Sequence, residues 1–265
     1  MSDAYHNLLD ATIEHLEGLK NKGTHFVSVS PESLRALVQA KPRSKPAATP
    51  GIAREVSADK QAAFDDLRTR ALACVKCAHL ASSRKNVVFG VGNVNAELMF
   101  VGEAPGADED AAGEPFVGKA GQLLTKIIQA MGMTRETVYI ANILKCRPDT
   151  PGQAAGNRKP TPEEMQTCIP YLHEQIDLIQ PKVLVALGAT AVEGLLGKTI
   201  GITKLRGQWR SYRNIPLMPT YHPAYLLRNQ SLSEKRLVWE DMLAVMEKLG
   251  APISEKQRNY FLKAG

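Results

Sequence analysis

The stretch that decides the fold is residues 98–124, LMFVGEAPGADEDAAGEPFVGKAGQLL. It opens with a short apolar run that is typical of a strand buried inside a parallel sheet. Gly102 and the Pro105-Gly106 pair then end the strand in a tight turn, and an acidic loop follows. A helix is predicted to start near Ala120. Because ligands of open α/β sheets bind at the carboxyl ends of strands, we expect the chemistry at this turn.

Apolar runs and helical patterns alternate along the rest of the chain. A helix predicted from Thr161, with Pro162 as its first residue, has the start signals of a capped helix. The last predicted helix ends at Gly250, a typical C-cap. This alternation predicts an α/β fold, a three-layer α/β/α sandwich with a mostly parallel central sheet. The other predicted strands cover residues 138–142, 182–187 and a twisted pair at 207–212 and 215–218.

Composition shifts divide the chain into four parts. Residues 1–40 are predicted to form an N-terminal helical appendage, which could recruit a protein partner. Residues 41–57, KPRSKPAATPGIAREVS, are rich in Pro, Lys and Ala without periodicity and predict a flexible linker. Residues 58–250 form the main domain, and 251–265 a C-terminal tail.

Length and charge bound the class of protein. The chain has 265 residues, 44% of them hydrophobic, which suffices for a sizeable core. No apolar run approaches the roughly 20 residues of a membrane span, and the N-terminus has no apolar signal segment. We therefore expect a soluble monomer in the cytoplasm, in bacterial terms the cytosol or nucleoid, with no membrane partner.

Positive charge is concentrated near the C-terminus. The net charge is +6, which by itself only weakly suggests an anionic partner. Between Ile202 and Arg236 a single acid, Glu234, stands against seven basic residues, so this segment is either a solvated face or a strip that contacts phosphates. The seven are Lys204, Arg206, Arg210, Arg213, Arg228, Lys235 and Arg236.

Four cysteines could form a single metal site. Cys74 and Cys77 form a CxxC at a predicted helix end, Cys146 follows the second strand, and Cys168 lies on the next helix. In a cytosolic protein such cysteines are seldom disulfides. Two ligands close in sequence and two distant ones can converge on one tetrahedral site, and the spacing alone leaves zinc and an iron–sulfur cluster both open. Isolated buried thiols are the alternative.

Polar residues follow the predicted strands. Glu103 presents a carboxylate after the first strand, Asn142 ends the second, and His222 follows the last. The Gly102 turn lacks the GKS/T of a P-loop and the third glycine of a dinucleotide fingerprint, which disfavours nucleotide binding. The nearby acids Asp108 and Asp110 are predicted to be solvated.

Six motifs follow one another over roughly residues 60–248, outside the N-terminal appendage. They are GEAPGADEDAAGEPFVGKAGQLL, IANILKCRP, NRKPTPEE, PKVLVALGATA, ITKLRGQW and MPTYHPAYLLRN. In this order and with the four cysteines, they resemble one known family, the family 4 or iron–sulfur uracil-DNA glycosylases.

The resemblance implies a DNA-repair enzyme of base excision, which flips uracil out of single- or double-stranded DNA and hydrolyses its N-glycosidic bond. It also implies a structural 4Fe–4S cluster on the four cysteines. By position, Glu103 matches the acid of the first motif and Ala104 its neighbour. Phe116 matches the aromatic that stacks on the flipped base, and Glu109 an acid with a supporting role.

The same resemblance implies further roles. Asn142 matches the residue that reads the uracil edge, and His222 the histidine that donates to uracil O2. The Leu226-Leu227 pair beside Arg228 matches the loop that enters the minor groove, where an apolar wedge can fill the gap left by the flipped base. Arg206 is a further candidate DNA contact.

Several alternatives stay open at this level. One is a non-catalytic iron–sulfur protein that only binds DNA. Another is covalent uracil trapping, which is disfavoured because no histidine lies between His79 and His173. A third is a broader base range that includes hypoxanthine, xanthine or mismatched thymine. Glu103 could orient water or act only electrostatically, and the side chain that excludes thymine is not identified.

Overall fold

The structure is a computed structural model that describes residues 57–150, 153–198 and 200–262. All of these belong to one unit, Arg54–Gly265. The predicted N-terminal helices and nearly all of the linker lie outside the described residues, so those domain boundaries stay predictions. In the described part of the chain, no helix is long and apolar enough to cross a bilayer.

A six-stranded sheet forms the centre of the molecule, in the order β1-β3-β2-β6-β8-β7. The four inner strands, β3, β2, β6 and β8, run parallel to one another. The edge strands β1 and β7 pair antiparallel with β3 and β8. This confirms the prediction of a mostly parallel sheet. The strands are β1 (Val91–Gly92), β2 (Leu98–Gly102), β3 (Tyr139–Asn142), β6 (Val183–Leu187), β7 (Arg210–Tyr212) and β8 (Ile215–Thr220).

Helices cover both faces of this sheet. Strand residues alternate between two apolar clusters, with Met99 and Val101 in one and Leu98 and Phe100 in the other. That alternation is what a sheet buried on both faces requires. The helices are α1 (Ala58–Leu72), α2 (Ala78–Ser83), α3 (Ala107–Ala112), α4 (Lys119–Ala130), α5 (Pro162–Ile179), α6 (Ala189–Leu196), α7 (Ile202–Leu205), α8 (Pro223–Arg228), α9 (Leu232–Leu249) and α10 (Glu255–Arg258).

The capping signals of the sequence are used as predicted. Helix α5 begins with a capping box, in which the Thr161 hydroxyl accepts from the Glu164 amide at 3.2 Å and the Glu164 carboxylate accepts from the Thr161 amide at 2.8 Å. Helix α9 ends at Gly250, whose φ of 69° suits a glycine C-cap.

Three local predictions need correction. The acidic loop after β2 is in part a short helix, α3, and Asp110 within it is buried rather than solvated. Helical spacing in α1 predicts that Leu72 shares a face with Phe64 and Leu67, but Leu72 is 46% exposed whereas the other two are buried. The Gly/Pro-rich segment after β3 contains an antiparallel hairpin of β4 (Asp149–Thr150) and β5 (Gln153–Asn157).

The segment after α9 packs against the main domain. The indole N–H of Trp239 donates to the carbonyl of Gln257 at 2.6 Å, and the Gln257 amide donates to the Ala130 carbonyl at 2.8 Å. These bonds link α10 to both α9 and α4.

Candidate active site at the carboxyl edge of the sheet

Polar residues from three parallel strands meet at one edge of the sheet. Gly102 ends β2 and is paired in register with Asn142, which ends β3. Thr220 ends β8, and His222 follows two residues later. Because parallel strands present their carboxyl ends on the same side, the topology gathers these residues as the sequence predicted.

Two side chains converge on Gly102, and a third contacts one of them. A Cβ atom at this position would lie 2.5 Å from Cζ of Phe116 and closer still to Oδ1 of Asn142. The Phe116 ring in turn lies 5.6 Å from the His222 ring, with their planes inclined by 30°. We call Gly102, Phe116, Asn142 and His222 the edge pocket.

Asn142 leaves a buried acceptor without a partner. Its side chain is 2% exposed, and Oδ1 has no hydrogen-bond partner within the described structure. A buried amide oxygen without a partner costs about 1–3 kcal/mol, so such an atom needs an explanation. A ligand that donates a hydrogen bond into the edge pocket would satisfy it.

His222 is held as a neutral ring with a defined tautomer. It caps α8, and its Nδ1 accepts from the Ala224 amide at 3.1 Å. Burial, reinforced by the positive charge of Arg228, lowers the pKa of His222 to about 4. Since Nδ1 accepts, the single proton of the neutral ring is on Nε2, which is therefore a hydrogen-bond donor.

Glu103 and Ala104 follow directly after Gly102. Both are partly exposed, and the Glu103 carbonyl accepts from the Leu144 amide at 3.0 Å. This bond extends the pairing of β2 and β3 beyond the strands and keeps Glu103 at the edge of the sheet. Ala104 packs against the core cluster.

Glu109 supports the wall of the pocket. Its Oε1 accepts from the amides of Val117 and Gly118, both at 2.9 Å, and Oε2 accepts from the Gly106 amide at 3.1 Å. Glu109, placed by the resemblance among the substrate-binding residues in a supporting role, thus binds the backbone of the loop that carries Phe116.

Asp110 has a comparable supporting role. It is 2% exposed and accepts from the amides of Lys85 and Asn86 at 3.0 and 3.2 Å. These bonds attach the segment after α2 to α3. The alternating acids of the sequence thus point in different directions, with Asp108 exposed and Asp110 inward.

The four cysteines pack into one apolar cluster. Cys146 and Cys168 are buried, Cys74 and Cys77 are half-buried, and none forms a disulfide. Burial is the main reason that the pKa of Cys168 is raised to about 12; Lys145 opposes this shift, and Cys146 and Cys74 add to it. We call these four residues the cysteine cluster.

Hydrogen-bond donors surround the sulfur atoms. One guanidinium nitrogen of Arg84 lies 3.0 Å from Sγ of Cys146, and another donates to the Cys74 carbonyl at 2.7 Å. The Lys145 amide donates to Sγ of Cys168 at 3.3 Å. Donors of this kind stabilise metal-bound thiolates, so the residues present fit a thiolate-ligated group.

The described residues contain no preformed site for a single metal ion. Among the described residues, no three His, Cys, Asp or Glu side chains lie close enough together to hold one metal ion. Tetrahedral Zn²⁺ would need its sulfurs at about 2.3 Å from a common centre. In an iron–sulfur cluster, thiolates can instead bind different irons.

Lys145 joins the cysteine cluster to the edge pocket, and the sequence analysis missed it. Its ammonium donates to the Asn142 carbonyl at 3.0 Å and to Oε1 of Gln175 at 2.6 Å. Burial lowers the pKa of Lys145 to about 8. Gln175 in turn donates to the Phe89 carbonyl and the Tyr139 hydroxyl, both at 3.0 Å. Its position could have singled it out, because Lys145 directly precedes Cys146, a candidate metal ligand.

Two of the predicted DNA contacts face inward. Leu226 is 5% exposed and packs with Tyr221 and Val238, whereas Leu227 is 38% exposed. Of the predicted wedge pair, Leu226 is therefore not available at the surface, whereas Leu227 is, with exposed Arg228 beside it. Arg206, the further candidate DNA contact, is also directed inward. Its guanidinium donates to the buried carboxylate of Asp241 and to the Leu237 carbonyl.

The basic strip is not a continuous phosphate surface. Arg206 pairs with Asp241, Arg213 with Asp177, and Arg236 with Glu240. Arg206 and Arg236 are thus partly covered, whereas Arg213 stays exposed beside its acid. Lys204 and Arg228 remain exposed.

Fold and site together define a three-layer α/β protein with a ligand site at the carboxyl edge of its parallel sheet. The family model described as the uracil DNA glycosylase superfamily matches residues 89–243. Three type-4 uracil-DNA glycosylases are similar over most of their own length.

The relative from Thermotoga maritima is 47% identical over 173 residues, 64% of this chain and 85% of that protein. The one from Archaeoglobus fulgidus is 42% identical over 180 residues, 65% of this chain and 87% of that protein. The one from Sulfurisphaera tokodaii is 40% identical over 193 residues, 69% of this chain and 84% of that protein. The chain belongs to the uracil-DNA glycosylase superfamily, and within it to the type-4 family.

Proposed function

We propose that this protein is a uracil-DNA glycosylase that hydrolyses the N-glycosidic bond of deoxyuridine in DNA and leaves an abasic site. The observation that carries the proposal is the buried, unpartnered Oδ1 of Asn142 beside the Phe116 ring. An apolar face next to an unsatisfied amide is what a flipped, planar, hydrogen-bonding base requires.

Asn142 would read the uracil edge. Its Oδ1 would accept from the N3–H of uracil, and its amide N–H would donate to O4. Cytosine presents an acceptor at N3 and an amino donor at C4, so both contacts would be mismatched. Each unsatisfied buried group costs about 1–3 kcal/mol, which corresponds to roughly ten- to hundredfold discrimination per contact. Phe116 would stack on the face of the base.

His222 would stabilise the departing base. Bond cleavage leaves negative charge on uracil, and the Nε2–H of a neutral histidine can donate to O2 where that charge develops. The lowered pKa keeps the ring neutral at physiological pH, and the bond from Ala224 fixes which nitrogen donates. The Glu103 carboxylate, at the sugar side, would orient the attacking water or stabilise the cationic sugar.

The cysteine cluster would hold a 4Fe–4S cluster through Cys74, Cys77, Cys146 and Cys168. Four thiols in one apolar cluster and the Arg84 and Lys145 donors support this. A bound cluster would join the end of α1, the segment after β3 and helix α5. In our proposal it has no part in base release.

Uracil-containing DNA is the proposed partner, with Leu227 entering the duplex and Arg228 contacting phosphate. We expect the protein to act as a monomer in the compartment that holds the DNA, the cytosol or nucleoid of a bacterial cell. A protein partner for residues 1–40 stays a prediction, since those residues lie outside the described structure.

The glycosylase assay tests the proposal directly. Oligonucleotides that contain uracil, hypoxanthine, xanthine or mismatched thymine are incubated with the holoprotein side by side. We expect free uracil and an alkali-labile strand from the uracil substrate in both single- and double-stranded DNA. Absence of uracil release by stoichiometric protein with its full iron content would contradict the activity and favour a protein that only binds DNA.

An Asn142→Ala variant tests the base-reading role. We expect kcat/KM for uracil to fall by about a hundredfold or more while DNA affinity is retained, because the change removes both edge contacts. Asn259→Ala, at the exposed end of α10, is the matched control. Full activity of the Asn142 variant would show that another residue reads the base.

Iron and sulfide analysis of the purified protein tests the cofactor. We expect a brown protein with about four irons per chain. A colourless protein that carries stoichiometric zinc would contradict the assignment.

A further inference from the structure

Phe116 has a backbone conformation that aromatic residues rarely adopt. Its φ is 55°, in the left-handed region that favours glycine. Conformations of this kind persist where the surrounding structure holds them, and they are concentrated at functional sites. The neighbours of this residue therefore decide where its ring points.

Arg135 holds the carbonyl side of this turn. It lies in the connection between α4 and β3, half-buried, outside the motifs that the sequence analysis singled out. One guanidinium nitrogen donates to the Pro115 carbonyl at 2.7 Å, and the other donates to the Phe116 carbonyl at 3.1 Å. A planar guanidinium suits this task because it presents two donors in a fixed geometry.

The other sides of the turn are held by different groups. A Cβ atom at Gly121, on α4, would collide with the Phe116 carbonyl, so the helix approaches the turn as closely as a glycine allows. Glu109 holds the next two amides, those of Val117 and Gly118. Arg135 thus binds the two carbonyls that precede the amides bound by Glu109.

We propose that Arg135 is a positioning residue for base recognition. By donating hydrogen bonds to the carbonyls of Pro115 and Phe116, it keeps the Phe116 ring over Gly102 and beside His222. The face of the flipped base would lie there. The inference rests on the proposed stacking role of Phe116. Without this grip, the strained turn would relax toward an ordinary conformation and carry the ring out of the edge pocket.

The first test compares Arg135→Met, Arg135→Lys and a control, Arg258→Met, whose side chain forms an exposed ion pair with Glu247. For each holoprotein we would measure kcat/KM on a uracil oligonucleotide, inhibition by free uracil, affinity for undamaged DNA and the melting temperature. We expect Arg135→Met to lower kcat/KM about ten- to hundredfold and to weaken uracil inhibition similarly. DNA affinity should be unchanged.

Arg135→Lys should retain part of the activity, since a lysine can still donate to one of the two carbonyls. It also keeps the proposal testable if the methionine variant does not fold. A lysine variant that folds but loses as much DNA affinity as uracil affinity would overturn the proposal, because the defect would then not be specific to the base.

A double-mutant cycle with Phe116→Leu separates positioning from general stability. If Arg135 acts through the Phe116 ring, then removing it from the Phe116→Leu background should cost less than about twofold in kcat/KM. If the kcat/KM losses of the two single variants multiply in the double variant, the proposal is overturned, because Arg135 would then act independently of the ring.

The single variants separate the two levels of the argument. Full activity of Phe116→Leu would refute the stacking role itself. Impaired Phe116→Leu together with full activity of Arg135→Met would leave the stacking role in place and refute the positioning role of Arg135.

Discussion

The edge pocket and the cysteine cluster are attached to opposite ends of one short segment, residues 142–146, but they are held in different ways. Asn142 begins this segment and Cys146 ends it, and Lys145 binds both sides: its ammonium bonds to Asn142 and its amide to Cys168. The pocket is held by charged side chains that bind the backbone, namely Glu109 and Arg135. The cysteine cluster consists of thiols in an apolar environment.

This difference has a thermodynamic consequence. The backbone bonds of Glu109 and Arg135 are already formed before any substrate arrives, whereas Oδ1 of Asn142 has no hydrogen-bond partner among the described residues. A site preorganised in this way loses little free energy to rearrangement on binding. Burial raises the pKa of the Cys77, Cys146 and Cys168 thiols and so favours their protonated form, and metal binding must displace those protons. Damage to the pocket should therefore change turnover, and damage to the cysteine cluster should change stability.

Among the changes that compare the edge pocket with the cysteine cluster, Gly102→Ala should have the largest effect. The added methyl would collide with Phe116 and Asn142, so these two groups must separate and can no longer contact one base together. We expect kcat/KM for uracil DNA to fall by about a hundredfold, with overpacking costing roughly 1–3 kcal/mol of stability. The measurement is steady-state glycosylase kinetics beside thermal unfolding.

Gly201→Ala is the matched control, because no atom lies within 4 Å of a Cβ placed there and its φ of −58° suits any residue. Wild-type kinetics in Gly102→Ala would mean that the pocket adapts and that the preorganisation argument is wrong.

Cys168→Ser should affect stability more than turnover, the opposite of Gly102→Ala. Loss of one thiolate weakens the proposed cluster, which links α5 to the end of α1, so the melting temperature should fall by about 10 °C. Iron content and unfolding would be measured on the same samples, with activity expressed per folded, iron-loaded molecule. That specific activity should stay within about threefold of wild type. Unchanged iron content and melting temperature would remove Cys168 from the proposed ligand set.

The pH dependence tests the electrostatics of the pocket. Since the pKa of His222 is lowered to about 4, kcat/KM should not titrate near the ordinary value of 6.5. The unfolded chain takes up the proton more readily, so the stability gained from the neutral ring is present above about pH 6.5 and is lost as pH falls toward 4. A neutral His222→Gln variant should lack this component of the acid destabilisation. An activity profile that titrates at pH 6.5 in wild type but not in the variant would contradict the buried, neutral ring.

The smallest effect on turnover is expected at the rim of the pocket. Leu227→Ala removes an exposed side chain and should weaken affinity for double-stranded DNA roughly three- to tenfold without changing the melting temperature. Leu226→Ala, one residue earlier, should instead cost about 2–5 kcal/mol of stability, because that side chain packs with Tyr221 and Val238. If instead Leu226→Ala weakened DNA affinity and Leu227→Ala lowered stability, Leu226 would be the wedge. Binding titrations and thermal unfolding of both variants decide the matter.

The sequence by itself determined the layered architecture. Buried strands such as Leu98–Val101 are apolar throughout, and Thr161 and Gly250 carry the helix signals that local chemistry reads directly. The candidate residues Asn142 and His222 could be found because they follow strands, and parallel topology brings the ends of such strands together. The resemblance to a known family added the roles and the cysteine ligand set, which spacing alone left open.

Only the tertiary structure decided which side chains face the site. Leu226 and Leu227 are adjacent apolar residues on a short helix, and nothing local indicates that the first packs into the core. The direction of Asp110, Glu109 and Arg206 depends on partners 24, 8 and 35 residues away. Arg135 carries no motif, yet its guanidinium meets two carbonyls 19 and 20 residues distant. Sequence patterns record the periodicity of an element, whereas the pairing of charged groups with a distant backbone depends on how the elements pack.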